Sequence, residues 1–526
     1  MKAIKAIILI GLIAISCLVA RGWTSMPNAS DGDVMGFSTN DVVETIKVIS
    51  QKQHSVAHTE ERTEVRDYLI SRLTAIGDTP TIYSYPDQEA RGYKFDAIDI
   101  LAEFPPLKQQ PDTVWSYGAA DDGYGVGIAL ECVETLLKRR GEWNQGIKVL
   151  YTDAEEVGMI GMKNIYKHNP EVFSNVGLVV NIEARGPYGS ALLFETSEGN
   201  EKLIDLYQSK AKYPVSYSLT NLVYSVLPNF TDFTIVRDSI PGYNFATVED
   251  INHYHTNLDN YSNISPDAIQ HYASQIMPIL NEYLKNQKYA DKEYLKSSKS
   301  YTYFTLPIIG VVKFTNNLYI TISIALFVIF IISLLIELRK NSFSFKLFAK
   351  WAFNIFMCSI LVFILGELIA LVASLISGVP FKFMGVVLGV YNDNTIMLVS
   401  VIVMILITVL IYAIIEHYNF KNYSKLLLYS SLTILSVLNL IMAIFLGESF
   451  FFLLPVICAL LAIVVWQISK SKFMMPIAVA FIVMSSLSFY YLLAMALTIG
   501  ALGAVMFLFF LTVPTLIALS EIYLRK

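Results

Sequence analysis

Cysteine is scarce in this chain: four occur in 526 residues, and Cys17, Cys358 and Cys458 lie in apolar runs, which leaves Cys132 alone in the part of mixed composition. No disulfide framework is available there, so cysteine usage does not report the compartment. Charge is scarce as well. Only 16% of residues are Asp, Glu, Lys or Arg, the net charge is −5, and no basic cluster is interleaved with aromatics. That excludes nucleic acid as an expected partner. With 54% hydrophobic residues, the composition is too apolar for a soluble protein of this length. The apolar residues are also unevenly placed: residues 24 to about 300 are mixed, whereas 319–520 are nearly all Leu, Ile, Val, Phe, Ala and Met.

The first residues carry Lys2 and Lys5 ahead of an apolar run from about 6 to 20. This is the pattern of a signal peptide or of an uncleaved signal anchor, and the lack of a clean A-x-A site favours the anchor. Further runs long enough to cross the roughly 30 Å hydrocarbon layer lie near 319–337, 353–376, 396–415, 426–446, 449–468, 474–494 and 499–519. Arg339, Lys340, Lys346 and Lys350 occupy one intervening loop, Lys421 and Lys425 another, and Lys470 and Lys472 a third, with Arg525 and Lys526 at the end. The alternate loops are nearly free of Lys and Arg. The positive-inside rule then puts both termini in the cytoplasm and residues 24–318 outside. Glu367 and Asn439 fall within spans; hydrogen bonding between helices is favoured there over a polar pathway. The expected organisation is an anchor or signal over 1–23, an extracytoplasmic domain over 24–285, a polar linker over 286–318, and a membrane domain of about seven helices over 319–526.

Within the outer domain, DVVETIKVIS and ERTEVRDYLISRLTAIG have helical spacing, the latter closing at Gly77. TIYSY, DAIDILAEF, IKVLYTDA and VGLVVNIEA read as strands, while GIALECVETLLKRR and NEKLIDLYQSKA read as helices. Strands alternating with helices imply an α/β fold with a mostly parallel sheet and helices on both faces. Ligands in such folds bind at the carboxyl ends of the strands.

Three stretches concentrate metal-type side chains just after predicted strands. YGAADDGYG places Asp121 and Asp122 on a glycine-rich turn, where helix capping is the plainer explanation. YTDAEEVGMIG places Glu155 and Glu156 in what reads as extended chain, with neighbouring side chains pointing opposite ways. INHYHTNLDN brings His253 and His255 together, with Asp259 close behind as a supporting carboxylate. Glu183, in VVNIEARG, ends a very apolar strand, and a carboxylate buried there needs a partner.

The order Asp, Glu-Glu, Glu, His over about residues 45–285 resembles the di-zinc aminopeptidases. With the membrane domain added, the chain resembles their membrane-anchored group, which includes vacuolar membrane protease, endoplasmic reticulum metallopeptidase and bacterial relatives. The resemblance implies a zinc exopeptidase domain that hydrolyses peptides, with two zinc ions held in the family. It implies that Asp121 bridges the metals, that Glu156 and His255 complete one site, and that Glu183 serves the other. Glu155 becomes the general base, Tyr254 a residue that steadies the oxyanion, and Asp122 and Asp259 carboxylates that support the ligands. The implied partners are peptide substrates and the lipid bilayer. The Lys-, Ile-, Asn- and Tyr-rich composition points to a bacterial cell membrane; the eukaryotic equivalent is a vacuolar or reticulum membrane.

One element of the family pattern is missing. A strand-end His-x-Asp motif is expected upstream of the bridging Asp, yet ILAEFPPLKQQPDTVWSYGAADD contains no histidine. TVW reads as a strand cut short, which implies the loss of about one strand and its loop. His54 and His58, at a helix start, reach the site only through an unusual change of fold. The rival function is a peptidase-like membrane protein of impaired catalysis, with a binding or sorting role.

Overall fold

A computed structural model of the chain describes residues 2–24, 34–107, 113–119, 123–226, 230–253, 259–390 and 423–525, with isolated positions elsewhere. The chain forms two compact units: Ser25–Thr305 with Ile309–Thr315, and Met1–Thr24 with Leu306–Ile308 and Asn316–Lys526.

After the apolar helix α1 (Lys2–Thr24), the first unit starts with α2 (Thr39–Ile49) and α3 (Thr59–Ala75). Ser38 caps α2 by accepting the Asp41 N–H, and α3 ends at Gly77, whose φ of +112° suits glycine. There follow β1 (Thr81–Ala90), β2 (Tyr93–Phe104), β3 (Thr113–Ala119), α4 (Gly123–Leu137), β4 (Gly146–Thr152), α5 (Ile160–His168) and β5 (Val176–Ala184). Next come β6 (Leu192–Thr196), α6 (Glu201–Lys210), α7 (Ser218–Val226), the single turn α8 (Phe233–Val236), β7 (Gly242–Thr247) and α9 (Pro266–Lys285). β1 to β7 form one sheet in the order β1-β2-β4-β3-β5-β7-β6. Its four central strands, β4, β3, β5 and β7, run parallel, and the pairings outside them are antiparallel. The expected α/β fold is therefore present, parallel at its centre and antiparallel at both margins.

Strand alternation divides the core in two. Val149, Tyr151, Val180 and Ile182 face a cluster built with α2, α4, α6 and α9, while Leu150 and Val179 face Met162 and Ile165 of α5 and Phe233 and Val236 of α8. Helices thus cover both faces.

Two expectations change. TVW does not begin a strand cut short: Thr113–Ala119 is a full strand, in parallel register with β4 on one side and β5 on the other. TVW followed by SYGA carries the strand through to Ala119. The supposed linker is largely folded. It contains β8 (Tyr301–Leu306) and β9 (Gly310–Thr315), which pair with each other, and Tyr289, Leu295, Tyr303 and Val311 join the larger core cluster. Spaced aromatic and aliphatic residues within a polar stretch do this without raising its average hydropathy.

The second unit contains α10 (Asn316–Arg339), α11 (Phe345–Ser377), α12 (Tyr423–Leu446), α13 (Phe450–Ser469), α14 (Met474–Leu497) and α15 (Leu502–Leu524). Seven helical stretches among the described residues are long and apolar enough to cross a membrane, including Ala3–Trp23 and Ile499–Leu524. The span expected near 396–415 lies almost wholly outside the described residues. Asn439 accepts a hydrogen bond from the Ser449 hydroxyl at 2.8 Å, and Glu367 accepts the Gly503 N–H at 3.2 Å. Both polar residues thus link helix segments within the bundle.

Candidate functional site

The four parallel strands end on one edge of the sheet, and each leads into a segment singled out from the sequence. β3 leads towards Asp121 and Asp122, which lie outside the described residues between Ala119 and Gly123. β4 leads to Glu155 and Glu156, β5 ends with Glu183, and β7 leads to the histidine loop. Tyr254 and His255 also lie outside the described residues.

The Glu155–Glu156 segment is not extended. It forms a 3₁₀ turn, Glu155–Val157, between Ala154 at φ +57° and Met159 at φ +56°. Left-handed conformations at non-glycine residues are unfavourable and persist only where the surroundings impose them. Here the Gly161 N–H donates to the Asp153 carbonyl at 2.9 Å and the Ile160 N–H to the Ala154 carbonyl at 3.2 Å. Asp153 itself is fixed three ways: its N–H donates to Asp99 at 2.9 Å, its carboxylate accepts the Ile98 N–H at 3.0 Å, and it pairs with Arg62. In a 3₁₀ turn successive side chains diverge by about 120°, so the two glutamates still point to different places.

Burial drives the Glu155 carboxyl up to about 8, helped by the charges of Asp232 and Glu156. Asp232 is a residue that the sequence reading did not identify. It is fully buried, accepts a hydrogen bond from Thr152 at the end of β4, and is pushed up to about 6 chiefly by burial. Its signal in the sequence is a single aspartate between a threonine and the core residue Phe233.

Glu183 is half-buried and has the partner expected: Asn181 donates to its Oε1 at 2.9 Å. Asn181 also donates to Asn244, Asn244 to Glu195, and Glu195 pairs with Arg237, so a buried polar chain supports this strand end. His253 lies in a 3₁₀ turn with its Nδ1 buried and unpartnered among the described residues. Asp259 is exposed beyond it.

A cavity of about 810 Å³ opens on this edge, lined by Glu155, Glu156, Arg62, Arg91 and Asp259, and also by His54 and His58. His54 and His58, in the segment before α3, thus line the same cavity as the two glutamates. His54 donates from Nδ1 to the Lys52 carbonyl at 3.1 Å, which leaves Nε2 as its lone-pair nitrogen. Glu183 is not among the lining residues.

Comparison with known proteins finds similarity to zinc peptidases and metallopeptidases. Endoplasmic reticulum metallopeptidase 1 of Homo sapiens is 31% identical over 169 residues, covering 31% of this chain and 19% of that protein. The vacuolar membrane protease of Schizosaccharomyces pombe is 28% identical over 218 residues, covering 38% of this chain and 25% of its own length. The matched stretches thus span about a fifth to a quarter of these relatives. Among solved structures, a zinc aminopeptidase from Bacillus subtilis aligns over 50% of this chain and 99% of its own, with 12% identity and a TM-score of 0.39. By sequence, residues 95–280 match the model of peptidase family M28, the part of the chain that contains all four motif-bearing strand ends.

Proposed function

We propose that the chain is a zinc-dependent aminopeptidase whose outer domain hydrolyses peptides on the extracytoplasmic side of a membrane. The observation that carries this reading is the convergence of four motif-bearing strand ends on one sheet edge, with Glu155 and Glu156 facing a cavity of peptide size. The donors proposed for the metal are Asp121, Glu156, Glu183 and His255, and carboxylate oxygens with an imidazole suit zinc. Among the described residues no group of three His, Cys, Asp or Glu side chains is close enough to hold an ion; Asp121 and His255 lie outside them. Bound zinc supplies polarisation of the scissile carbonyl and a more acidic water.

The chain's own residues do the rest. Glu155 receives the proton of the attacking water and returns it to the leaving amine, Tyr254 steadies the oxyanion, and Asp122 and Asp259 support the ligands. The lysine- and arginine-bearing loops favour a cytoplasmic position for themselves and so an outer position for this domain. Its setting is then a bacterial cell membrane, or a vacuolar or reticulum membrane in a eukaryote. Glu155→Gln should abolish release of amino acids, with a loss of about a hundredfold or more, while zinc content stays unchanged. Retained hydrolysis in that variant sinks the assignment.

The missing His-x-Asp motif favours a second reading, in which catalysis is impaired and the domain binds peptides. Elemental analysis separates the two. Two zincs per chain mean that another side chain replaces the absent histidine, and His54 and His58 line the cavity. One zinc or none, without zinc-dependent hydrolysis, establishes the second reading.

A further inference from the structure

β2 continues well past the end of β4. Their register pairs Ile100 with Tyr151 and Phe104 with Ile147, so the part of β2 that precedes Asp99 projects beyond the strand end that leads to Glu155. The β1–β2 hairpin therefore overhangs the edge that carries the motifs. Its base is packed there: Phe95 and Ala97 form a small cluster with Ala154, against which Val157 also packs.

The tip of this hairpin is the two-residue turn Arg91–Gly92, with φ of +48° and +82°. Such a turn takes Asn, Asp or Gly at its first position, and arginine is strained there. The Arg91 side chain turns back to the site and donates from Nη2 to the Glu156 carbonyl at 2.8 Å. That bond uses one of the five donors of a planar guanidinium. Of the other long cations lining the cavity, Lys52 pairs with Glu64, Arg62 pairs with Asp153, and Arg185 is engaged as well. No carboxylate pairs with Arg91 among the described residues. A strained, exposed arginine is thus held one residue from the proposed catalytic glutamate, with no ion pair among the described residues.

We infer that Arg91 binds a carboxylate of the substrate, so that the cavity selects short peptides through their C-terminus or acidic peptides through a side chain. The inference rests on the peptidase reading of the same cavity. The amino end of the peptide goes to the glutamate side, and its anionic group goes to the hairpin tip. The volume of about 810 Å³ accommodates a peptide of a few residues. Arg91 is a specificity-determining residue in this scheme, and Glu155 keeps the proton transfer.

The test compares peptide acids with their amides on the full chain in detergent. The substrates are Leu-Gly against Leu-Gly-NH2, and Leu-Glu-NH2 against Leu-Gln-NH2. The wild type should prefer the carboxylate member of at least one pair by about tenfold or more in kcat/KM, the range of a charge-assisted hydrogen bond. A preference in the first pair identifies the C-terminus as the group bound, and one in the second identifies the side chain. Arg91→Gln should erase the preference and Arg91→Lys should restore part of it. Equal losses on acid and amide in Arg91→Gln overturn the inference and reduce Arg91 to a brace for the Glu156 turn. If the wild type cleaves none of these peptides, the peptidase reading fails, and isothermal titration with Leu-Gly and Leu-Gly-NH2 decides the rest. Acid-selective binding lost in Arg91→Gln upholds the inference; equal or no binding overturns it.

Discussion

His271 offers a quantitative test of how the peptidase-like unit is held together. It lies in α9 and is 1% exposed. Its Nδ1 accepts the Ala191 N–H at 2.8 Å, so the ring's proton is on Nε2, which donates to the Tyr213 carbonyl at 2.9 Å. A second proton on Nδ1 would face the Ala191 N–H donor to donor. Burial lowers the imidazole from its ordinary 6.5 to about 4. A histidine whose folded value is depressed lends stability that is complete above about 6.5 and is lost as pH falls towards about 4. At about 1.4 kcal/mol per pH unit the full effect is roughly 3 kcal/mol, of which about 2 kcal/mol is lost between pH 7.5 and pH 5. Glu155 and Asp232 work in the opposite direction, since carboxyls raised on folding gain protons first in the folded state and stabilise it as pH falls. The wild-type curve alone therefore blends these effects, and the informative quantity is its difference from His271→Gln, which does not titrate. Thermal unfolding followed by tryptophan fluorescence should show the stability advantage of the wild type shrinking by about 4–8 °C over that interval. Parallel curves for the two proteins would refute the reasoning.

Two glycines give further predictions. In Gly161→Ala the new Cβ would stand 2.6 Å from the Asp153 nitrogen and 2.7 Å from its carbonyl oxygen, and closer still to Asp99 Oδ1. This should cost about 1–3 kcal/mol, measured by thermal unfolding, and should lower zinc content because the displaced segment carries Glu156. In the membrane unit a side chain at Gly366 would meet the Gly503 backbone at 2.6 Å. Gly366→Leu should then separate α11 from α15 and lower the yield of monodisperse protein in detergent, read by size-exclusion chromatography.

The fold was legible wherever a segment's pattern is local. IKVLYTDA and VGLVVNIEA are buried along nearly their whole length because both faces of a central parallel strand are covered, and a continuous apolar run reports that directly. The end of α3 follows from Gly77, which acts through its own backbone. The folded state of 286–318 was not legible, because its polar residues outnumber Tyr289, Leu295, Tyr303 and Val311, and only the surface awaiting those four decides their burial. β3 illustrates the same limit. TVWSYGA mixes residue types that a strand at a sheet margin also takes, and its central place comes from pairing with β4 and β5 at once.

At the site, the sequence marked candidate residues by their chemical type and concealed what adjusts them. Glu155 and Glu156 were visible as a pair after a strand, but the pair is separated by the divergence of a 3₁₀ turn that only the packing around Ala154 and Met159 imposes. Asp232 could not be linked to Glu155 from a separation of 77 residues, although its burial beneath the end of β4 is the charge that helps raise Glu155. Arg91 was silent for a similar reason, since hairpin register alone brings it to the Glu156 carbonyl. These cases share one cause. Donor and nucleophile types are chemical properties of single residues, whereas a pKa, a tautomer or a free charge belongs to a neighbourhood assembled by the sheet. The absent His-x-Asp motif sharpens this point: β3 keeps its central position between β4 and β5 without it, so the pairing of this strand does not depend on those side chains.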